Sequence, residues 1–184
     1  MSKTESKMVK LGTLAPNFKL VDVKTGQLIQ LDDKKTPIAT VLFFICNHCP
    51  FVKHIMPKLI EVARKYLTKD IRFIAINSND VIRYPDDSPE NMRLAALNQN
   101  YPFPYIYDET QEVAKAYDAA CTPDFFIVDK QLALVYRGQF DDSRPGNQIE
   151  VTGDFLSQAL DCLLEDKSIT VKQKPSMGCN IKWK

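Results

Sequence analysis

Apolar residues in this chain follow two rhythms, short runs and a helical stripe, and their alternation predicts the order of its elements. Lys19-Leu20-Val21-Asp22-Val23 and Leu28-Ile29-Gln30-Leu31 flank a Thr25-Gly26 turn and predict a hairpin. After a break at Thr36-Pro37, Ile38 to Phe44 is an apolar run of the kind that forms a central strand buried on both faces. The period then changes. Val52, Ile55, Met56, Leu59, Ala63, Tyr66 and Leu67 line one helical face, with Lys53, His54, Lys58, Glu61, Arg64 and Lys65 on the other. Pro50 suits the first turn of this helix, and Pro57, inside it, predicts a kink.

Ile71 to Ile76 reads as a second core strand, ending in the polar loop Asn77-Ser78-Asn79-Asp80. Ser88 followed by Pro89 predicts a capped helix running to about Asn100. Tyr101 to Tyr107 is extended, and Asp108 or Thr110 caps a short helix over Glu112 to Tyr117. Phe125 to Val128 is a third core strand, turned by Asp129-Lys130-Gln131 into an antiparallel Ala133 to Arg137. A last helix buries Phe155, Leu156, Ala159, Leu160, Leu163 and Leu164. The predicted class is α/β: a hairpin, then β-α-β-α-α-β-β-α.

Composition narrows the classes of function. The chain has 184 residues, enough for one domain with its own core. Its 24 basic and 23 acidic side chains leave a net charge of +1, which predicts neither nucleic-acid nor anionic-membrane binding. The polar start, Met1 to Lys7, has no apolar run behind it and no span is evident, so a cytoplasmic location is expected. The domain is expected over 11–168, between a polar tail at 1–10 and a basic tail at 169–184 that contains Cys179. The chain has five cysteines, and a reducing compartment makes catalytic, metal-binding or buried thiols more plausible than a disulfide framework.

Cys46 and Cys49 carry the candidate chemistry, because they stand where the central strand ends and the first helix begins. Free N–H groups and the positive dipole end at such a place favour a thiolate. Pro50 at the first helical position puts Cys49 at the N-cap. His48, between the two, would stabilise a thiolate if its imidazole were protonated; otherwise it is an exposed loop histidine. His54, on the polar helix face, is expected to be solvated.

With Cys46-Asn47-His48-Cys49-Pro50 and Cys121-Thr122-Pro123-Asp124-Phe125-Phe126 together, the chain resembles the thioredoxin-like superfamily. Its redoxin branch (alkyl hydroperoxide reductase/thiol-specific antioxidant) and peroxiredoxin-like members look nearest. Gly12 to Phe18, Ser78-Asn79-Asp80, Asp87-Ser88-Pro89-Glu90, Asp141 to Pro145 and Gly178 to Trp183 share that likeness. The resemblance implies a thioredoxin-like fold, a central mixed sheet flanked by helices with the N-terminal hairpin as an extension. It also implies a cis Pro123 facing the active thiol and a Thr122 backbone that pairs with an extended disulfide substrate.

In the family pattern the helix proline lies eight residues after the nucleophile, and Pro57 is eight after Cys49 but eleven after Cys46. That register favours Cys49 as the attacking thiol; a gap would restore Cys46. Cys121 is either a further redox thiol near the site or a small core residue, and Cys162 reads as structural. Cys179 is either a resolving thiol or part of a docked or disordered terminus.

The leading expectation is a thiol-disulfide oxidoreductase using Cys46 and Cys49, acting on disulfide-containing proteins or small molecules and served by a cellular thiol reductant. A thiol peroxidase with Cys49 as the peroxidatic thiol is the alternative, with an antioxidant role. Against it, Leu42 and Cys46 occupy the positions where that pattern has proline and threonine. A third class is a metal-binding or redox-sensing module, with Cys46, Cys49 and His48 as ligands and a fourth from Cys121 or Cys179. No cofactor and no resident metal are expected.

Overall fold

A computed structural model describes residues 3–32 and 37–184; the expected break at Thr36 lies outside the described residues. In chain order the strands and helices are β1 (Lys3–Glu5), β2 (Lys19–Val21), β3 (Leu28–Gln30), β4 (Ala39–Phe44), α1 (Pro50–Leu67) and β5 (Ile71–Asn77). Then follow α2 (Pro89–Asn98), β6 (Tyr105–Tyr107), α3 (Glu112–Ala116), β7 (Cys121–Thr122), β8 (Asp124–Asp129), β9 (Leu134–Gly138), α4 (Asp154–Leu164) and β10 (Met177–Asn180). No described helix is long and apolar enough to cross a membrane.

The main sheet has the order β6-β5-β4-β8-β9, parallel from β4 to β6 and antiparallel from β4 through β8 to β9. β4 is buried along its whole length, as its apolar run requires. Strand alternation sends Val41 and Phe43 into one core with the buried faces of α1, α2 and α4, while Leu42 and Phe44 enter a second with Phe18, Leu31 and Ala114. The hairpin β2–β3 is tied to the sheet through buried Asp22, which accepts hydrogen bonds from Thr25 Oγ1 at 2.7 Å and from the N–H of Tyr105 at 2.9 Å.

α1 has Cys49 as its N-cap and Pro50 in its first turn, and it runs through Pro57 to Leu67 as one assigned helix. Arg64 and Lys65 in its last turn complement the negative dipole end. Ser88 caps α2 as expected, its Oγ accepting from the N–H of Asn91 at 3.3 Å. α2 stops at Asn98, short of the expected end, and Asn100 then turns with φ 53°. Asp108 holds the start of α3 by accepting from the N–H groups of Val113 and Ala114, although Gln111 is the N-cap residue.

The two terminal segments require a correction. Residues expected to form tails at 1–10 and 169–184 instead supply β1 and β10, which join β7 in a second, antiparallel sheet of order β1-β10-β7. The register places Lys3 opposite Cys179, and Cys179 opposite Thr122. Sequence reasoning missed this because three- and four-residue strands, polar or rich in small residues, carry no readable periodicity.

Phe43 is fully buried, its ring centroid 5.0 Å from that of Phe103 and 5.7 Å from that of Phe125. Phe43→Ala is expected to cost about 3–5 kcal/mol. Leu28→Ala, at a half-exposed hairpin position, should cost about 0.5 kcal/mol or less. Urea unfolding midpoints of the two variants measure the difference.

Candidate active site

The end of β4, the first turn of α1, β7 and β10 meet around three sulfur atoms. Cys46 follows β4, Cys49 caps α1, and Cys179 lies in β10. Cys46, Cys49 and Cys179 are each no more than 2% exposed. Cys49 Sγ is 3.1 Å from Cys179 Sγ and 3.2 Å from the carbonyl oxygen of Thr122. Cys46 Sγ is 3.4 Å from Thr122 Oγ1, so Thr122 touches both members of the Cys-X-X-Cys pair. The Thr122–Pro123 bond is cis, as the resemblance implied. All five cysteines are unbridged.

The ionisation of the three thiols is unequal. Cys49 is pulled down to about 5, chiefly by the hydrogen bond from Cys46 and against the opposing effect of burial. Cys179, the backbone N–H of Val52 in the first turn of α1, and Thr122 add to that pull. Cys46 moves the other way, well above an ordinary thiol, because it gives its hydrogen bond to Cys49, is buried, and feels the charge of Asp87. Cys179 is pushed up to about 12, first by burial and then by its contact with the Cys49 sulfur. Of the three thiols, Cys49 is the one drawn toward the thiolate, while Cys46 and Cys179 are pushed toward the protonated form.

His48 is not a loop histidine in solvent. Its Nδ1 lies 2.7 Å from Oδ2 of Asp87, and its ring stacks on Tyr84 at 5.6 Å between centroids. Its contact with the Asp87 carboxylate, which accepts from it, raises its pKa above the usual histidine value, more than burial lowers it. Asp87 is completely buried, which alone would raise its pKa. His48, Asn79 Nδ2 at 2.8 Å and the N–H of Asn47 at 2.7 Å overcome this and hold it as a carboxylate. Asp87 was not singled out from sequence; the cue was an acid beside a helix cap, and nothing local links it to His48.

The other expectations divide. Cys121 is buried behind the site, its Sγ directed to the carbonyl of Pro123 at 3.6 Å, and burial followed by the charge of Asp124 raises its pKa. It is close to the three gathered sulfurs without pointing at them. Cys162 is half-buried on α4, away from them. His54 is not merely solvated: its Nε2 meets Ser143 Oγ at 2.7 Å and ties α1 to the 139–146 loop. In that loop Asp141 accepts from the N–H groups of Ser143, Thr152 and Gly153, which makes it a structural knot leading into α4.

Among the described residues Cys46, His48 and Asp87 bring potential metal-ligating atoms within 4.8 Å of one another. Metal binding needs a Cys thiolate and a neutral imidazole. In the metal-free site Cys46 is pushed toward its protonated form and Asp87 favours protonated His48, so a cation would have to displace both protons.

Residues 11–137 match the family described as AhpC/TSA. The chain belongs to that family. It is a thioredoxin-like oxidoreductase of the redoxin branch. A crystal structure of an uncharacterised conserved protein from Geobacillus kaustophilus is 59% identical, with TM-score 0.98, covering 100% of this chain and 97% of that one. The thiol-disulfide oxidoreductase ResA of Geobacillus kaustophilus is 28% identical over 127 residues, 69% of this chain and 68% of that protein. A thioredoxin-family thiol:disulfide interchange protein from Chlorobium tepidum shares the fold at TM-score 0.64 and 17% identity, covering 86% of this chain and 99% of that one.

Two titrations check the electrostatics. Thiolate absorbance of the reduced protein should show one sulfur protonating as pH falls through about 5, and Cys46→Ala, which removes the strongest donor, should move that midpoint upward. For His48, Asp87→Asn should lower the imidazole pKa, followed by NMR. Because the folded pKa is the higher one, the pair stabilises fully below the unfolded value of about 6.5 and fades as pH rises through the folded value. The variant should lose that pH dependence.

Proposed function

We propose that this chain is a thiol-disulfide oxidoreductase in which Cys49 attacks and Cys46 resolves. The observation that carries the reading is the placement of Cys49 at the N-cap of α1, three residues after Cys46 and 3.2 Å from the Thr122 carbonyl oxygen, with its pKa drawn down to about 5. The Cys49 thiolate attacks one sulfur of a substrate disulfide; the S–S bond breaks, and one substrate sulfur leaves as a thiolate and takes up a proton. Cys46 then gives up its proton and attacks the Cys49 sulfur. The second substrate thiolate departs, leaving a Cys46–Cys49 disulfide that a cellular thiol reductant reopens. The similarity to ResA supports this reading. When protonated, as its contact with Asp87 favours, His48 adds positive charge next to Cys49 in the chain, which favours a thiolate.

Membership of the AhpC/TSA family favours a second reading, peroxide reduction through a Cys49 sulfenic acid. It is weaker because Cys46 occupies the place of the threonine in the peroxidase pattern.

Insulin-disulfide reduction and hydrogen peroxide consumption, run side by side, test the choice. Cys49→Ser should lower disulfide reduction by more than about 100-fold, as loss of a covalent nucleophile does. Replacing Cys46 and the neighbouring Cys179 together by serine should trap a mixed disulfide on Cys49. Faster turnover of peroxide than of disulfide by the wild type would place the protein with the peroxidases.

A further inference from the structure

The reaction above uses two sulfurs, whereas the structure gathers three. We propose that Cys179 is a second resolving thiol, and that Cys49 and Cys179 form a disulfide in competition with Cys46; the inference rests on Cys49 being the attacking thiol.

Cys179 is held in place from both sides of its strand. Its register partner in β1 is Lys3 and its partner in β7 is Thr122, the residue that also touches Cys46 and Cys49. Gly178 lets β10 lie this close: a Cβ there would come 1.9 Å from the Thr122 carbonyl oxygen. Before the cysteine, Ser6 donates its N–H to the Ser176 carbonyl and Ser176 donates its N–H to Ser6 Oγ, both at 2.8 Å. Beyond it, Lys182 donates its N–H to Asn79 Oδ1 at 2.9 Å, and its carbonyl accepts from Asp80 N–H at 2.8 Å and from Gln111 Nε2 at 2.9 Å. The strand is clamped at both ends with its sulfur 3.1 Å from the nucleophile. Closing that gap to a disulfide of about 2.05 Å needs a shift of little more than one ångström. Cys121 is also buried nearby but is turned toward Pro123, so it is not an equivalent candidate.

The oxidant is a disulfide of low-molecular-weight thiols, RSSR. The Cys49 thiolate attacks it to give Cys49–S–SR, and RS⁻ leaves and is protonated. Cys179 loses its proton and its sulfur attacks Cys49 Sγ. The bond to SR breaks, a second RS⁻ leaves and takes the proton, and the Cys49–Cys179 disulfide remains. Two cysteine thiols are oxidised and one RSSR becomes two RSH.

The test oxidises the reduced, full-length protein with oxidised glutathione, blocks remaining thiols with N-ethylmaleimide and maps disulfides by mass spectrometry without reduction. Peptides joining Cys49 to Cys179 are expected in the wild type, and near-complete Cys49–Cys179 linkage in Cys46→Ser. Cys179→Ser, which keeps a hydrogen-bond donor, should give only Cys46–Cys49. Gly178→Val should reduce the Cys49–Cys179 product at least tenfold while Cys46–Cys49 still forms. Cys46–Cys49 as the sole product in the wild type, or no internal disulfide in Cys46→Ser, overturns the inference and leaves the proposed function standing. Failure of Cys49 to form a disulfide with either partner in any variant overturns the proposed function as well.

Discussion

A charge buried in this protein survives only where hydrogen-bond donors meet it, and the Cys49 thiolate is the case on which the site depends. A lone anion with no exposed surface would take up a proton rather than remain charged. Here the thiol of Cys46, the thiol of Cys179 and the N–H of Val52 converge on it. The donors come from the end of β4, from β10 and from the first turn of α1, so the sulfur is acidic because of packing across the fold. The same contacts push Cys46 and Cys179 toward their protonated forms.

A second ring of charge surrounds the first. Asp87 is buried as a carboxylate because Asn47 and Asn79 each give it a hydrogen bond and His48 Nδ1 lies 2.7 Å from it, and Asn79 in turn accepts from Lys182 just beyond β10. The imidazole beside Cys49 and the strand carrying Cys179 therefore share one support. A change at Asn79 would reach both sides of Cys49 without touching it.

Much of the core was legible because its signals are local. The apolar run into β4, the stripe of α1, the Ser88-Pro89 cap and the β8–β9 turn each state their structure within a few residues. Cys49 as the N-cap followed from Pro50 in the same way. What escaped were contacts between distant segments: Asp87 with His48, His54 with Ser143, and above all β10 between β1 and β7. No period marks Lys3 as the partner of Cys179, and Gly178 shows its purpose only beside the Thr122 carbonyl.

The small sheet also joins the most distant parts of the chain. The Cys49–Cys179 contact spans 130 residues of chain and the Ser6–Ser176 bond 170, whereas β4, α1 and β5 are contiguous. Long loops close at greater entropic cost, so the sheet β1-β10-β7 is expected to assemble after the contiguous core. Until it does, Cys49 lacks one of its donors and is a less acidic, less reactive sulfur. Exposed thiols on a half-folded chain invite wrong pairings; here acidity arrives together with the strand that covers it.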